Sequence, residues 1–413
     1  MTNRAFSRIF PLILLSTVLI FTNSCKKDSS STRQIKVGVL LGFSGTGSQN
    51  ATETQAALDI CLDDVKSYLQ RNGLDANVEL FYEDTQSDTN VAKTKAQSLI
   101  DRGVRIIIGP YTSSEAKAVK AIADAKNVLL VSHSAVSTSL AIPGDNFLRF
   151  SPCDTYQAEA ICSMFDSDSV KAIIPIVRVD LWSNSLFAAT NSTFTSQGGS
   201  SLTIQSFTPG TTDFSSLAAG VNAAIATASA QYGADRIAIY LISYGDGTSV
   251  LEALVNAGVS PAIKVYGASA FAQSTTLTAN ATAAGFASTT NFQCPVFGFD
   301  ASASNIYEPI QTKIVAKIGN KASIYALAAY DILWAAVLSA ITQQADADFA
   351  TFKSHFIETA GEYFGATGRT ELDENGDRKR VFYDFWGIKN NTGLYSWQIT
   401  AKYNTSDHSL TKY

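Results

Sequence analysis

Residues 35–41, IKVGVLL, run directly into 42–50, GFSGTGSQN, and then into 53–69, where Ala56, Ala57, Ile60, Cys61, Val65 and Leu69 recur at helical spacing. A short, nearly unbroken run of β-branched and aliphatic residues suits a strand buried on both faces, as in a parallel sheet. The Gly/Ser loop ends that strand, and the apolar stripe after it predicts an amphipathic helix. The pattern repeats outward: a strand at 78–82 and a helix at 90–100, a strand at 106–109 and a helix at 114–124, a strand at 128–131. Each unit is roughly 25–30 residues long, the size of a βαβ crossover. After 147–152 (FLRFSP) the rhythm restarts, with helices predicted at 155–165, 185–195, 214–232 and 248–256 and strands at 172–177, 202–207, 237–242 and 263–266. Residues 273–284 carry only a weak signal, 323–342 the strongest helical one, and the tail alternates as strands at 381–388 and 395–403. The reading is α/β, with two lobes of similar build.

Length and composition agree with two lobes and exclude several classes. The 413 residues leave ample room for two cores. Charged residues make up 16%, against a usual quarter or so, and the net charge is -5. A chain without a basic excess is no phosphate-backbone binder, so no nucleic-acid partner is expected. Three histidines and two methionines supply little for a metal or haem site, and no cofactor is expected.

The N-terminus reads as an export signal. Arg4 and Arg8 precede an apolar run at 9–21 that is too short to span a bilayer comfortably. It ends in Thr22, Asn23, Ser24 and Cys25, which resembles a bacterial lipoprotein signal. That resemblance implies removal of residues 1–24, acylation of Cys25, and anchoring to a bacterial membrane on its periplasmic or cell-surface side. An ordinary secretory signal is the alternative, and either exports the chain. Residues 26–33 (KKDSSSTR) suit a flexible tether, which makes 25–33 the linker. An oxidising compartment permits disulfides among Cys61, Cys153, Cys162 and Cys294, in pairings that sequence leaves open. If Cys153 and Cys162 share one helix, they lie about 13 Å apart along it, too far for a bridge. Buried free thiols are the expectation for most of the four.

Catalytic signatures are missing. If Gly45 and Gly47 opened a dinucleotide fingerprint, Asn50 would stand where the third glycine belongs, and no Lys-Ser/Thr follows for a phosphate loop. Asp373, Asn375 and Asp377 resemble the start of a calcium loop, but Arg378 and Asp384 occupy its glycine and glutamate positions, so a tight turn is expected. His133 lies between Ser132 and Ser134, yet neighbours in sequence do not face one another, and no nucleophile elbow exists. The chain is not expected to be an enzyme.

Several motifs in order resemble the type I periplasmic substrate-binding proteins, most closely the leucine/isoleucine/valine-binding family that serves ABC importers. They are the opening strand 35–41, YEDTQSDT at 82–89, IIIGPYTSS at 106–114, VSHSA at 131–135, FSPCDTYQA at 150–158 and AAYD at 328–331. The resemblance implies two Rossmann-like lobes with parallel central sheets, three hinge crossings and a ligand cleft between the lobes. It places lobe 1 at 34–150 plus about 300–365, and lobe 2 at 151–299 plus about 366–413. It also implies a monomer that binds a small amino acid or carboxylate and delivers it to ABC permease and ATPase subunits. By motif position, Ser113 is the hydroxyl donor to a ligand carboxylate, Ser134 adds backbone contacts, and Trp182 and Tyr244 are aromatic walls.

Two positions depart from the family. Val136 falls where amino-acid binders have Thr, with Ser137 a possible substitute. Ser269 falls near the acid that pairs with a ligand ammonium, and no acid stands beside it. An ammonium buried without a counter-charge is costly. Either Asp180 or Asp246 takes over, or the ligand is a carboxylate, amide or aromatic acid without an ammonium. A sensory lobe for a receptor partner and a surface lipoprotein with a vestigial cleft are the other readings.

Overall fold

The computed structural model describes residues 32–344 and 346–413. The signal at 1–24, Cys25 and most of the tether lie outside the described residues. β1 (Arg33–Leu41) pairs in parallel with β2 (Ala76–Asp84), in register from Arg33 opposite Ala76 to Leu41 opposite Asp84. The strand thus starts two residues ahead of the sequence reading and takes in Arg33, which the tether was expected to include. Crossovers α1 (Ser48–Arg71), α2 (Thr89–Asp101) and α3 (Ser113–Lys126) alternate with β3 (Ile106–Ile108), β4 (Leu129–Ser132) and β5 (Phe147–Arg149). The five strands are all parallel, in the order β2-β1-β3-β4-β5. Gly109 closes β3 at φ +103°, where an added Cβ would stand 2.2 Å from the Leu40 carbonyl oxygen. Only glycine allows β3 to leave the sheet so close to β1.

After β5 the chain crosses to a second sheet. It runs through α4 (Asp154–Ser167), β6 (Ala172–Arg178), α5 (Leu181–Ser196), β7 (Ser200–Ser201), β8 (Gln205–Phe207), α6 (Ser215–Tyr232), β9 (Ile237–Ile242), α7 (Gly247–Asn256), β10 (Lys264–Gly267), α8 (Thr275–Ala279), α9 (Ala281–Thr289) and β11 (Gln293–Phe297). A second crossing leads to α10 (Ser304–Ile318), α11 (Ile324–Thr342) and α12 (Phe349–Glu362), which pack on the first lobe, and to the short hairpin β12 (Phe364–Gly365) and β13 (Gly368–Arg369). A third crossing returns to β14 (Phe382–Asn391), β15 (Leu394–Asn404) and β16 (Ser409–Lys412), which extend the second sheet antiparallel. α11 is long and apolar enough to cross a membrane by composition, but its residues sit in the first lobe's core, beside α1.

Several elements differ from the sequence reading. The helix expected at 185–195 begins at Leu181, because the Asp180 side chain caps it by accepting from the Ser183 N–H (2.8 Å). The strand expected at 202–207 is broken into two short pieces, β7 and β8. α10, α12 and β11 were not predicted. α10 carries Pro309 and buries only Ile310, Gln311 and Ile314, so its apolar stripe is faint. All four described cysteines are buried free thiols. Cys153 stands just ahead of α4, as its N-cap.

A buried polar knot joins the crossings. Arg149, wholly buried, donates from Nε and Nη2 to the two Asp377 carboxylate oxygens (2.5 and 2.8 Å). Its Nη1 also donates to the carbonyls of Ala135 and Ser137 (3.1 and 2.9 Å). Residues 373–377 form the tight turn expected from sequence, with Asp373 accepting from the Asn375 and Asp377 N–H groups. Arg149 therefore ties the first crossing to the third and to the loop that carries Val136.

Candidate ligand-binding site

Carboxyl ends of strands from both sheets converge on one cleft, the usual ligand position in open α/β sheets. β3 delivers Tyr111 and Ser113, β4 delivers Ser134 and Val136, and β6, β9 and β10 deliver Trp182, Tyr244, and Ser269 with Ala270. Tyr325, in the first turn of α11, completes the wall. These residues line about 320 Å³ of space, part of it open to solvent. Tyr111, Tyr244, Ser269, Ala270 and Tyr325 also line a wider outer cleft, together with Asn50 and Glu53 of α1.

Local chemistry sets each side chain. Thr112 caps α3 through a capping box, accepting from the Glu115 N–H while the Glu115 carboxylate accepts from the Thr112 N–H. That fixes Ser113 at the start of the helix, facing the cleft. Ser113 Oγ accepts from the Ser137 N–H (3.2 Å) and keeps its hydroxyl hydrogen for another acceptor. The Ser134 hydroxyl donates to the Tyr111 carbonyl (2.9 Å), and its N–H is held by Ser132 Oγ (3.2 Å). Ser134 lines the pocket with both its hydroxyl and its N–H engaged inside the protein, which leaves its carbonyl for the backbone contacts expected of it. Ser137 does not line the pocket. Its hydroxyl accepts from the Ser139 N–H as the cap of a short turn, and the apolar Val136 side chain takes the wall position instead.

Trp182 and Tyr244 meet edge to face, with ring centroids 5.0 Å apart. The Arg178 guanidinium covers the Tyr244 ring at 4.7 Å. The same guanidinium donates to Asp180 Oδ2 (2.5 Å) and Asp246 Oδ2 (2.8 Å). Both acids that sequence offered as partners for a ligand ammonium are thus engaged by Arg178, and neither lines the pocket. Burial raises the Tyr111, Tyr244 and Tyr325 phenols above their usual range, so all three are neutral donors.

Sequence reasoning did not find Tyr111, Tyr325 or the layer behind Ser269. There the Ser269 N–H donates to Gln157 Oε1 (2.9 Å), and Gln157 Nε2 donates to Asp154 Oδ1 (3.0 Å). Asp154 also neighbours Trp182, whose indole N–H closes no hydrogen bond of ordinary geometry. Burial holds the Asp154 carboxyl well above its usual range. Glu53, in the outer cleft, accepts from the Ser323 N–H (2.9 Å) and Gln49 Nε2 (3.2 Å). Among the described residues no cluster of metal-ligating side chains occurs.

Known proteins resemble the chain at three levels. A protein of Methanocaldococcus jannaschii without assigned function is 28% identical over 170 residues, 40% of this chain and 41% of that one. Glutamate receptor 2.8 of Arabidopsis thaliana is 34% identical over 146 residues, 35% of this chain and 15% of the receptor. The chain thus spans less than half the length of these relatives. Among solved structures, the branched-chain amino acid transporter substrate binding protein LivJ from Streptococcus pneumoniae, in complex with isoleucine, superimposes with a TM-score of 0.69 at 18% identity. That match covers 89% of this chain and 99% of LivJ. A solute binding protein of an ABC transporter from R. palustris, in complex with 4-hydroxybenzoate, gives 0.73 at 16% identity over 90% and 97% of the two chains. Such low identities establish a shared fold. Residues 34–382 match the family described as periplasmic binding protein, and with its two lobes and parallel sheets the chain belongs to that family, in the type I form.

Proposed function

We propose that the chain is the extracytoplasmic solute-binding component of an ABC importer, held at a bacterial membrane through acylated Cys25. Its ligand is a small carboxylate with an apolar or aromatic body and no α-ammonium group. One observation carries the ligand class: four aromatic rings and three serines line the inner pocket and no acid among the described residues does, with Asp180 and Asp246 engaged by Arg178 and Asp154 set behind Ser269 and Trp182. Structures similar in fold hold isoleucine in one case and 4-hydroxybenzoate in another, so the fold leaves the choice to the site. The Ser113 hydroxyl at the start of α3 suits a carboxylate, because helix N-termini favour anions. Trp182, Tyr244, Tyr111 and Tyr325 suit a flat apolar body. The lobes close over the ligand about the three crossings.

A thermal-shift panel of the chain without its signal tests this reading. A ligand at a hundred times its dissociation constant stabilises by about 2.7 kcal/mol. Benzoates and branched aliphatic carboxylates are expected to shift the midpoint, and leucine and isoleucine to leave it in place. Stabilisation by the amino acids alone would overturn the ligand class and point to Glu53 as the counter-charge. A second reading, a ligand sensor for a receptor partner, draws on the match to segments of plant glutamate receptors.

A further inference from the structure

A second cavity lies where the crossings meet and shares no lining residue with the ligand cleft. It offers about 760 Å³ of space, part of it open to solvent, between the end of β11 and the start of β14. Arg378 forms part of its wall and is 2% exposed. This guanidinium touches all three crossings. Nη1 donates to the Phe150 carbonyl of the first (3.1 Å), the Phe297 ring of the second lies 5.0 Å from it, and the residue itself belongs to the third.

A buried guanidinium is normally paired with a carboxylate. Arg378 has no carboxylate within salt-bridge distance among the described residues; its other donors go to Thr367 Oγ1 and the Thr367 carbonyl. Its Nε–H has no partner at all. The rim adds Arg369 and Arg380, both exposed and neither in an ion pair of direct contact. Two acids also line the cavity. Asp300 accepts from the Ser302 N–H and hydroxyl (2.9 and 2.6 Å), and Glu371 is paired with Lys379 (2.9 Å). Three arginines and Lys379 therefore line the cavity against two acids, and the buried Asp331 carboxylate reaches Arg378 only through the Thr367 hydroxyl. Burial lowers the Arg378 guanidinium to about 10, a direction that a bound anion would reverse.

We propose that this cavity binds a small oxyanion of the phosphate type, held by Arg378, Arg369 and Arg380, and that its occupancy shifts the balance between open and closed lobes by bracing the three crossings. Planar guanidinium groups match oxyanion geometry through paired N–H donors. Because Arg378 contacts every crossing, an anion that fixes it acts on the hinge as a whole.

Inorganic phosphate, titrated against chloride at constant ionic strength, tests the site by thermal shift and calorimetry. The parent is expected to show saturable stabilisation by phosphate. Arg378→Met also perturbs the buried crossings, so the exposed pair Arg369→Ala/Arg380→Ala carries the test. It is expected to keep the parent's midpoint without phosphate and to bind phosphate about tenfold more weakly. Trp182→Ala, in the ligand cleft, is expected to leave the phosphate titration unchanged, which separates this site from the other. Equal effects of phosphate and chloride, or an unaltered titration in the double variant, would overturn the site. An identical radius of gyration in solution scattering with and without phosphate would overturn the coupling to the hinge.

Discussion

On the proposed function, ligand class is decided at Ser269, which lines the pocket where an acid could pair with a ligand ammonium. Its side chain lines the pocket and its N–H is fixed by Gln157, so an acid placed there would face the ligand. Ser269→Glu is expected to create affinity for leucine and to weaken binding of leucine's deaminated analogue by about tenfold or more, read by calorimetry. Equal changes for both compounds would mean that position 269 does not meet the amino group. His133 is a second residue with a measurable signature. It is wholly buried, its Nε2 donates to Asn50 Oδ1 (3.2 Å), and burial pulls its pKa down to about 3 from an ordinary 6.5. The unfolded chain binds this proton first as pH falls. The neutral imidazole therefore supports the fold fully above about pH 6.5, and that support is lost as pH drops toward 3. The loss is of order 5 kcal/mol. His133→Gln is expected to flatten this acid limb relative to the parent in denaturant titrations across pH. An unchanged limb would show that His133 protonates without penalty.

At the level of elements, two close approaches hold the site in place. β3 can turn out beside β1 only because Gly109 lacks a Cβ. Gly109→Ala is expected to cost about 3 kcal/mol or more in unfolding free energy, because the obstructing atom is backbone and cannot yield. The Arg149–Asp377 pair makes a different prediction. Arg149→Met alone leaves a buried carboxylate and is expected to cost about 3–5 kcal/mol. Arg149→Met/Asp377→Leu is expected to recover most of that, and a double variant as unstable as the single one would show that the contacts to Ala135 and Ser137 matter more than the pair. The elements that sequence revealed share a cause with those it hid. β3, β4, β6, β9 and the second half of β1 are buried on both faces and read as mostly aliphatic runs. α11 read clearly for the same reason. α10 and β7 bury little, so their apolar pattern is thin, whereas β11 is buried throughout and was hidden because Gln293 and Pro295 interrupt its apolar run. Trp182 was expected at the second-lobe wall and lies there, but on a helix that begins four residues earlier than its apolar spacing suggested, because an Asp180 cap outweighs a weak stripe.

The molecule as a whole brings together residues far apart in sequence, and this is where sequence reading runs out. Ser113, Ser134, Trp182, Tyr244 and Ser269 each end a strand or begin a helix in a motif, and all line one pocket. Tyr325 opens a helix whose other residues belong mostly to the first lobe's core, so nothing local marks it as facing the cleft. The engagement of both candidate acids by Arg178 is likewise a tertiary fact, since Asp246 lies 68 residues from that arginine. Two lobes joined by three crossings are expected to close on ligand, so solution scattering should show a smaller radius of gyration with bound carboxylate than without, and no contraction would argue for a cleft that does not work by closure. The most direct test of the central claim is a calorimetric titration of leucine against 4-methylpentanoate, which differ only in the α-amino group. The account predicts measurable binding of 4-methylpentanoate and at least about tenfold weaker binding of leucine, the cost of burying an unpaired ammonium. Tighter binding of leucine would contradict it.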